Sequence, residues 1–324
     1  MYTIEELTGL LRKEIDKNSY VESPETLFEP IKYMLQDGGK MIRPLLALIA
    51  YNMYSDDISE ALTPAIGIEI FHNYTLLHDD VMDDAELRRG RPTVHKKWNV
   101  NVAILSGDAA AITAYKCIGL CKDQYLRAAI DNFNQVAMDV CKGQQYDMEF
   151  ETREYVTTDE YLQMIHLKTA VLLAGCLRHG ALIAGAPEEE YQALYNFGCC
   201  IGMLFQLQDD YLDVYGDVKT LGKNIGGDIL ENKKTYMLIK ARELADSQDK
   251  KELEMWISKK DFNPSEKIKA VKAIYDRVGV PTIVKDILES YSEKSIQILG
   301  EIKLPNEKKQ PLYRIIRMLE GRRK

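Results

Sequence analysis

Apolar residues recur at spacings of three and four along almost every long segment of this 324-residue chain. This spacing gathers them on one face of an α-helix, whereas a half-buried strand alternates with a period of two. No segment bounded by turn residues shows a convincing period of two. The segments with helical period are 5–17, 25–36, 43–54, 61–85, 101–121, 124–149, 159–185, 189–215, 231–246, 265–277 and 282–300. We therefore predict an all-α protein.

Two segments are apolar around most of the helix circumference, AVLLAGCLRHGALIAG at 170–185 and FGCCIGMLFQLQ at 197–208. Helices of this kind are packed on several sides in a protein core. The sequence has no low-complexity linker, obvious repeat or break in composition that would divide it. We therefore expect residues 1–324 to form a single domain, a bundle of ten or more helices.

Charge and composition exclude several classes of protein. The net charge of −8 argues against nucleic acid as a partner, because phosphate-backbone binding depends on clustered basic residues. The charged N-terminal sequence is not a signal peptide, and no apolar run approaches the roughly 20 residues of a transmembrane helix. The six cysteines form no C-x-x-C pair, which indicates reduced thiols in a cytoplasmic protein rather than a zinc site.

Two acidic motifs with identical spacing each follow an apolar helical stretch. They are Asp79-Asp80-x-x-Asp83, the first acidic motif, and Asp209-Asp210-x-x-Asp213, the second acidic motif. The first and last aspartate of each motif share one helix face. One such motif would be typical of a solvated helix end, but the repetition favours a function. Clustered carboxylates repel unless cations intervene, and oxygen ligands suit Mg²⁺, whose coordination is usually completed by substrate phosphates. The motifs therefore point to a diphosphate.

Basic residues near turns could complete a diphosphate site. They are Lys40 and Arg43 in Gly38-Gly39-Lys40-x-x-Arg43-Pro44, Arg88 and Arg89 in Arg88-Arg89-Gly90-Arg91-Pro92, and Lys168, Lys223 and Lys233. Helix starts attract anions, and the arginine fork binds phosphate oxygens in bidentate fashion. Each residue alone would be typical of a surface ion pair, so their combination with the acidic motifs carries the argument. His72 is as consistent with a core histidine as with a ligand contact.

Together these elements resemble the short-chain trans-polyprenyl diphosphate synthase family, which includes farnesyl and geranylgeranyl diphosphate synthases. The resemblance runs from about residue 30 to about residue 240. It implies the isoprenoid synthase fold around a deep central cavity, usually as a homodimer, with the two acidic motifs facing each other across the cavity mouth. It also implies condensation of isopentenyl diphosphate with dimethylallyl, geranyl or farnesyl diphosphate, with three Mg²⁺ ions around the allylic diphosphate.

The resemblance further implies roles for individual residues. The metal ligands would be Asp79, Asp83 and Asp209, with support from Asp80, Asp210 and Asp213. The allylic diphosphate would contact Arg88, Lys168, Lys223 and Lys233, and isopentenyl diphosphate would contact Lys40, Arg43, His72 and Arg89. Thr169, Gln206 and the backbone of Lys168 would face the carbocation, with Gln144 and Asp147 in support.

Two features qualify this assignment. Met41 stands where many family members have arginine, and because Lys40 and Arg43 remain, we expect weaker or altered affinity at most. The C-terminal Gly321-Arg322-Arg323-Lys324 resembles the basic tails that close over the second substrate in some members, and it is equally consistent with a disordered polar tail.

Product length would depend on the residues that precede the first acidic motif. Tyr74 and Phe71, five and eight residues before Asp79, project from nearly the same helix face, and Thr75 beside them is small. A bulky residue at the position of Tyr74 resembles family members that stop at fifteen to twenty carbons. We expect geranylgeranyl diphosphate, with farnesyl diphosphate as the next choice. The alternative is that Tyr74 is an ordinary core residue.

Three other functions fit less well. A terpene cyclase would share the fold and the first acidic motif but would not need Lys40, Arg43 and Arg89. A non-catalytic regulatory subunit of a prenyltransferase would be expected to lack one acidic motif, and both are intact. A metal phosphohydrolase would need further histidines at ligand spacing, which the remaining ones do not supply.

Overall fold

The structure is a computed structural model, and it describes residues 1–17, 22–36, 39–216 and 225–321. Within these ranges the chain is almost entirely helical, which confirms the predicted all-α class. The α-helices are Ile4–Lys17, Glu25–Leu35, Ile42–Asn52, Ser59–Met82, Val94–Lys97, Val100–Ile118, Asp123–Thr152, Thr158–Ile165, Val171–Ile183, Glu188–Tyr215, Gly227–Leu230, Tyr236–Leu244, Ser247–Ser258, Pro264–Arg277, Val280–Glu301 and Asn306–Gly321. A π-helical turn, His166–Ala170, joins two of them.

Two short strands interrupt the helices directly after the first acidic motif. Leu87–Arg88 pairs antiparallel with Arg91–Pro92. The two residues between them, Arg89 and Gly90, have φ values of 52° and 78°. A two-residue hairpin loop with positive φ at both positions matches the twist of the flanking strands.

Several helices differ from the predicted segments, and the helix Asn306–Gly321 was not predicted at all. The predicted helix 231–246 begins only at Tyr236. The helix Ser247–Ser258 was not predicted, since Leu253 is its only buried residue. Its N-cap, Asp246, accepts hydrogen bonds from the backbone N–H of Gln248 and Asp249 at 2.8 and 2.9 Å, a helix-start signal independent of apolar periodicity.

The chain divides into two compact units. Unit 1 comprises Met1–Gln135, Gly175–Tyr195 and Lys303–Pro311, and unit 2 comprises Val136–Ala174, Asn196–Ile302 and Leu312–Lys324. The expectation that residues 1–324 form one domain stays a prediction. The first acidic motif belongs to unit 1 and the second to unit 2.

In unit 1 the helices Ser59–Met82 and Val100–Ile118 pack closely because glycines replace side chains at their contact. A Cβ at Gly67 would lie 2.8 Å from Cys117 Cβ, and one at Gly107 would lie 2.2 Å from His78 Nε2. Both distances are below any ordinary van der Waals contact. The end of the helix that carries the first acidic motif is therefore fixed against its neighbour.

In unit 2 glycines hold the π-helical turn. A Cβ at Gly143 would lie 2.2 Å from the backbone nitrogen of Lys168, and one at Gly202 would lie 2.4 Å from Ala170 Cα. The turn is thus packed between backbone on two sides. Around it lies an apolar core that includes Leu204, Leu207 and Ile274.

In the part of the chain that the structure describes, none of the helices combines the length and the apolar composition that crossing a bilayer requires.

Candidate active site

The first acidic motif lies at the C-terminal end of the helix Ser59–Met82. Asp79 and Asp80 are in its last turn, and Asp83 is its C-cap residue. The carbonyl groups at a helix C-terminus carry partial negative charge, so carboxylates at this end are destabilised unless cations compensate them. Asp80 is buried, Asp79 is half-buried and Asp83 is exposed.

Arg88 supplies this compensation for Asp80. Its Nε donates to both Asp80 carboxylate oxygens at 2.8 and 2.9 Å, and its Nη2 lies 2.7 Å from Asp80 Oδ1. Burial lowers the pKa of Arg88, but Asp80 and then Asp79 raise it, with a net upward shift. A turn between the two residues, in which Asp84 has a φ of 49° and the Ala85 N–H donates to the Asp80 carbonyl at 3.0 Å, brings Arg88 back to Asp80, the partner that sequence spacing alone does not identify.

The adjacent Arg89 packs against backbone. A Cβ at Gly39 would lie 2.7 Å from Arg89 Nη1, so this guanidinium occupies the space that a side chain at position 39 would take. Gly39 and Arg89 line a cavity of about 200 Å³ in unit 1, together with Arg12, Met41 and Glu69. Of the predicted isopentenyl-diphosphate residues, Arg89 lines this cavity. Lys40 is exposed beside it, and Gly38 lies outside the described residues.

Half-buried Arg43 and buried His72 form a polar pair in the same unit. Arg43 Nη1 lies 2.9 Å from His72 Nε2. Burial lowers the pKa of His72 well below its usual value, and the charges of Arg43 and Arg89 lower it further. Since arginine can only donate, neutral His72 accepts at Nε2. Among the residues that the structure describes, none offers an acceptor to the buried Nε of Arg43.

This unsatisfied donor requires an explanation. A buried N–H without an acceptor costs about 1–3 kcal/mol. The nearby carboxyl of Glu69 does not accept this hydrogen bond. Burial raises the pKa of Glu69, and the charges of Arg43 and Arg89 oppose that rise. A buried guanidinium with an open N–H, next to Arg89, is therefore suited to an anionic ligand.

The second acidic motif satisfies its carboxylates in a different way. Buried Asp210 accepts hydrogen bonds from Tyr161 OH and from Gln206 Nε2, the latter at 3.1 Å. Burial raises the pKa of Asp210 to about 6, while these two hydrogen bonds oppose the rise. Asp213 Oδ2 accepts from the backbone N–H of Asp228 at 3.0 Å. Asp213 thus holds the segment that follows, and Asp209 is half-buried.

The π-helical turn presents two predicted catalytic residues next to this motif. Thr169 Oγ1 donates to Gln206 Oε1 at 3.1 Å, which continues a hydrogen-bond chain to Asp210. Lys168 Nζ lies 2.5 Å from Asp147 Oδ2. Single π-helical turns inside α-helices are frequent at functional sites because they redirect side chains. The structure therefore brings these predicted residues together.

The remaining predicted residues of unit 2 lie nearby or outside the described ranges. Burial lowers the pKa of Lys233, but the carboxylates of Asp147, Asp228 and Asp210 raise it, and the net shift is upward. Gln144 is half-buried on the helix Asp123–Thr152. Lys223 and the tail residues 322–324 lie outside the residues that the structure describes.

The carboxylates fit a metal that arrives with its substrate rather than a preformed cage. Among the described residues, no group of three or more His, Cys, Asp or Glu side chains converges as metal ligands. Mg²⁺ is commonly held by one or two carboxylates, with water and substrate phosphates completing its octahedron. The oxygen-only donors of the two motifs match this pattern.

The predicted chain-length residues form an aromatic cluster in unit 1. Phe71 is buried and packs edge-on against Phe133 at a centroid distance of 4.9 Å. Tyr74 lies 5.5 Å from the Phe71 ring and 4.7 Å from the His78 ring. Thr75 Oγ1 donates to the carbonyl of His72 at 2.8 Å. Tyr74 is thus part of an aromatic cluster with Phe71 and His78.

Sequence reasoning missed Phe133 and Tyr161. Phe133 is one apolar residue in a predicted helix, and Tyr161 is separated from Asp210 by 49 residues. Contacts between residues so far apart in the sequence leave no local pattern, so only the folded chain identifies Phe133 and Tyr161.

Comparison with known proteins gives this geometry its context. The sequence model described as polyprenyl synthetase matches residues 24–275. The chain belongs to the polyprenyl synthetase family. It is 40% identical to the short chain isoprenyl diphosphate synthase of Methanocaldococcus jannaschii over 257 residues, covering 79% of this chain and 78% of the relative. It is 35% identical to the geranylgeranyl diphosphate synthase of Methanosarcina mazei, covering 89% and 88%.

The solved structures agree. A crystal structure of a geranylgeranyl pyrophosphate synthase superposes with a TM-score of 0.94 at 41% identity, covering 99% of each chain. The predicted isoprenoid synthase fold and the predicted prenyltransferase activity of a short-chain prenyl diphosphate synthase are confirmed by these likenesses and by family membership. The roles of individual residues stay predictions.

The Arg88–Asp80 pair yields a stability prediction. Arg88→Met should lower the free energy of unfolding by about 3 kcal/mol, because it leaves a buried carboxylate without its cation. Urea unfolding monitored by circular dichroism measures this change. Adding Asp80→Asn to Arg88→Met should restore part of the loss, since no uncompensated charge then remains. Arg127→Met is the control, because its pair with Asp131 is exposed and contributes little. Equal effects of Arg88→Met and Arg127→Met would contradict the assignment.

Proposed function

We propose that this protein catalyses the magnesium-dependent, head-to-tail condensation of isopentenyl diphosphate with dimethylallyl, geranyl or farnesyl diphosphate. The main product is geranylgeranyl diphosphate, with farnesyl diphosphate as the alternative. The single observation that carries the isopentenyl-diphosphate site is the unsatisfied, buried Nε of Arg43 beside neutral His72. A diphosphate oxygen would accept this hydrogen bond, and Arg89 and Lys40 would add charge.

The allylic diphosphate is bound through metal and basic side chains. Mg²⁺ would be held by Asp79, Asp83 and Asp209, with Asp80, Asp210 and Asp213 as direct or indirect support, and three ions are proposed. Bound Mg²⁺ supplies positive charge that stabilises the departing diphosphate. Arg88, Lys168, Lys223 and Lys233 would contact its oxygens. The ion pairs of Arg88 with Asp80 and of Lys168 with Asp147 hold these two cations in position before the diphosphate binds.

The chain's own residues then favour carbon–carbon bond formation. When the allylic C–O bond breaks, the hydroxyl of Thr169 and the amide oxygen of Gln206 would orient partial negative charge towards the carbocation, as would the backbone carbonyl of Lys168. The double bond of isopentenyl diphosphate attacks this cation. The resulting proton leaves to the departed diphosphate, so no protein base is consumed. Apolar walls exclude water, which would otherwise trap the cation as an alcohol.

The isopentenyl-diphosphate residues separate elongation from cyclisation. A cyclase binds one diphosphate, whereas Lys40, Arg43 and Arg89 offer a second anion site apart from the first acidic motif. The six cysteines form no C-x-x-C pair, a pattern typical of reduced thiols, and we propose that the enzyme works in the cytoplasm.

Elongation itself is the decisive test. Wild-type enzyme with Mg²⁺, isopentenyl diphosphate and each of the three allylic primers should yield longer prenyl diphosphates, resolved by chromatography after dephosphorylation. Arg43→Met should raise KM for isopentenyl diphosphate about 10- to 100-fold, because a charge-assisted hydrogen bond contributes about 1.5–3 kcal/mol. KM for the primer should change little. Arg317→Met, an exposed arginine, is the control. No elongation from any primer would overturn the proposal.

Product length tests the aromatic cluster. Tyr74→Ala should shift products beyond twenty carbons, because it removes the ring that packs above Phe71. Tyr155→Ala, which removes an exposed tyrosine, should leave the product distribution unchanged. Chromatography of the dephosphorylated products gives both distributions. Unchanged products with Tyr74→Ala would make Tyr74 an ordinary core residue.

A second copy of this chain is the proposed partner. The helix Val100–Ile118 buries small residues on one face and exposes Ile104, Leu105, Ile112 and Tyr115 on another. Exposed apolar residues clustered on one helix face are typical of an interface, and two-fold dimers join identical faces. This arrangement supports a homodimer.

Oligomeric state provides the check. Leu105→Glu combined with Ile112→Glu should convert the dimer into a monomer, because each substitution would bury a carboxylate in the interface. Analytical ultracentrifugation measures the mass in solution. Met255→Glu, on the exposed side of another helix, should leave the dimer intact. A monomeric wild-type protein would contradict the proposal.

A further inference from the structure

Lys267 is a fully buried lysine, and no carboxylate in the described part of the chain pairs with it. Its exposed fraction is 0%, and it forms no ion pair with any residue that the structure describes. Its Nζ donates to the carbonyl of Leu230 at 3.3 Å and to Asn232 Oδ1 at 2.8 Å. The ammonium also lies 4.2 Å from the centroid of the Phe262 ring. Every polar contact of this side chain is therefore directed at one turn.

The burial of this cation is unfavourable by itself. Removing an ammonium group from water costs several kcal/mol, and no opposite charge offsets that cost here. Burial accordingly lowers the pKa of Lys267. An unbranched apolar side chain such as methionine would fill the same space without the penalty. The contacts with the turn are what a lysine adds at this position.

Lys267 contacts this turn at two positions whose backbone is unfavourable by itself. Leu230 ends the short helix Gly227–Leu230, so its carbonyl has no partner within that helix. Asn232 has φ of 55°, a left-handed conformation that a non-glycine residue adopts at an energetic cost. Its Nδ2 donates to the carbonyl of Ile257 at 3.2 Å. Lys267 stabilises both positions, and Lys233 is the residue that follows Asn232 in the chain.

The other end of this segment is fixed by the second acidic motif. The backbone N–H of Asp228 donates to Asp213 Oδ2 at 3.0 Å, and that of Gly226 donates to the Asp213 carbonyl at 2.6 Å. The N–H of Lys233 in turn donates to the carbonyl of Asp228 at 2.9 Å. Residues 226–233 are thus held by Asp213 at one end and by Lys267 at the other.

We propose that Lys267 is a positioning residue for Lys233. By fixing the last carbonyl of the short helix and the left-handed Asn232, it sets the direction in which the next side chain leaves the backbone. The Lys233 ammonium is then organised before the allylic diphosphate binds, which lowers the entropic cost of stabilising the leaving group. This inference rests on the proposed function, which assigns Lys233 to that diphosphate.

Steady-state kinetics of the full-length enzyme tests the inference. Lys267→Met keeps the buried volume but removes the donor. It should lower kcat about tenfold and raise KM for the allylic primer, while KM for isopentenyl diphosphate stays unchanged. A general loss of folded protein would lower kcat alone. Lys269→Met removes an exposed lysine from the same helix and is the matched control. Unaltered kcat and primer KM in Lys267→Met would overturn the inference.

A second variant removes the acceptor instead of the donor. Asn232→Gly keeps a residue that tolerates positive φ but deletes the side-chain oxygen. Its kinetic effect should resemble that of Lys267→Met, and the effects of the two substitutions should be less than additive in the double variant, because both delete the hydrogen bond between Lys267 and Asn232. Additive effects would show that the two residues act independently and would overturn the inference.

Amide hydrogen exchange gives a readout that does not depend on activity. Exchange at residues 226–233 should be about tenfold faster in Lys267→Met than in wild type and Lys269→Met, because an opening that is about 1.4 kcal/mol easier exchanges tenfold faster. Equal exchange rates would overturn the role of Lys267 in holding the turn. Failure of the wild-type enzyme to elongate any primer would overturn the proposed function separately, whatever the exchange rates show.

Discussion

Negative charge is buried at the C-terminal end of the helix Ser59–Met82, and it must be compensated. This requirement constrains the structure around the first acidic motif. The carboxylates of Asp79, Asp80 and Asp83 lie at a helix terminus that is itself partially negative. Arg88 satisfies Asp80 with two hydrogen bonds from one nitrogen. The chain brings that arginine back to Asp80 through a turn at Asp84 and Ala85, where the Ala85 N–H donates to the Asp80 carbonyl. The neighbouring Arg89 then turns towards Gly39 and the cavity.

The second acidic motif shows that identical spacing does not mean identical surroundings. Asp210 accepts hydrogen bonds from the neutral groups of Tyr161 and Gln206, and burial raises its pKa. Asp80 instead pairs with the Arg88 guanidinium. Asp213 accepts hydrogen bonds from backbone N–H groups of the following segment, its Oδ2 from Asp228 and its carbonyl from Gly226. The motif is therefore both a source of metal ligands in the proposed mechanism and the anchor of the turn that carries Lys233.

Close backbone packing gives both sites their rigidity. Gly107 admits the His78 ring, Gly39 admits Arg89, and Gly143 lies directly against the backbone of Lys168. Side chains on tightly packed helices have little freedom to move. Residues that bind charged groups lose less entropy on binding when they are fixed in this way, which is the general advantage of a preorganised site.

The sequence by itself determined the helical class, the two acidic motifs and their basic companions, because helix periodicity and short-range spacing are local properties. It also identified the family. Only the tertiary structure decided which carboxylate meets which cation, that Tyr161 satisfies Asp210 across 49 residues, and that Lys267 supports the turn before Lys233. These contacts join residues far apart in the chain, and their geometry follows from packing, which no local pattern of residues encodes.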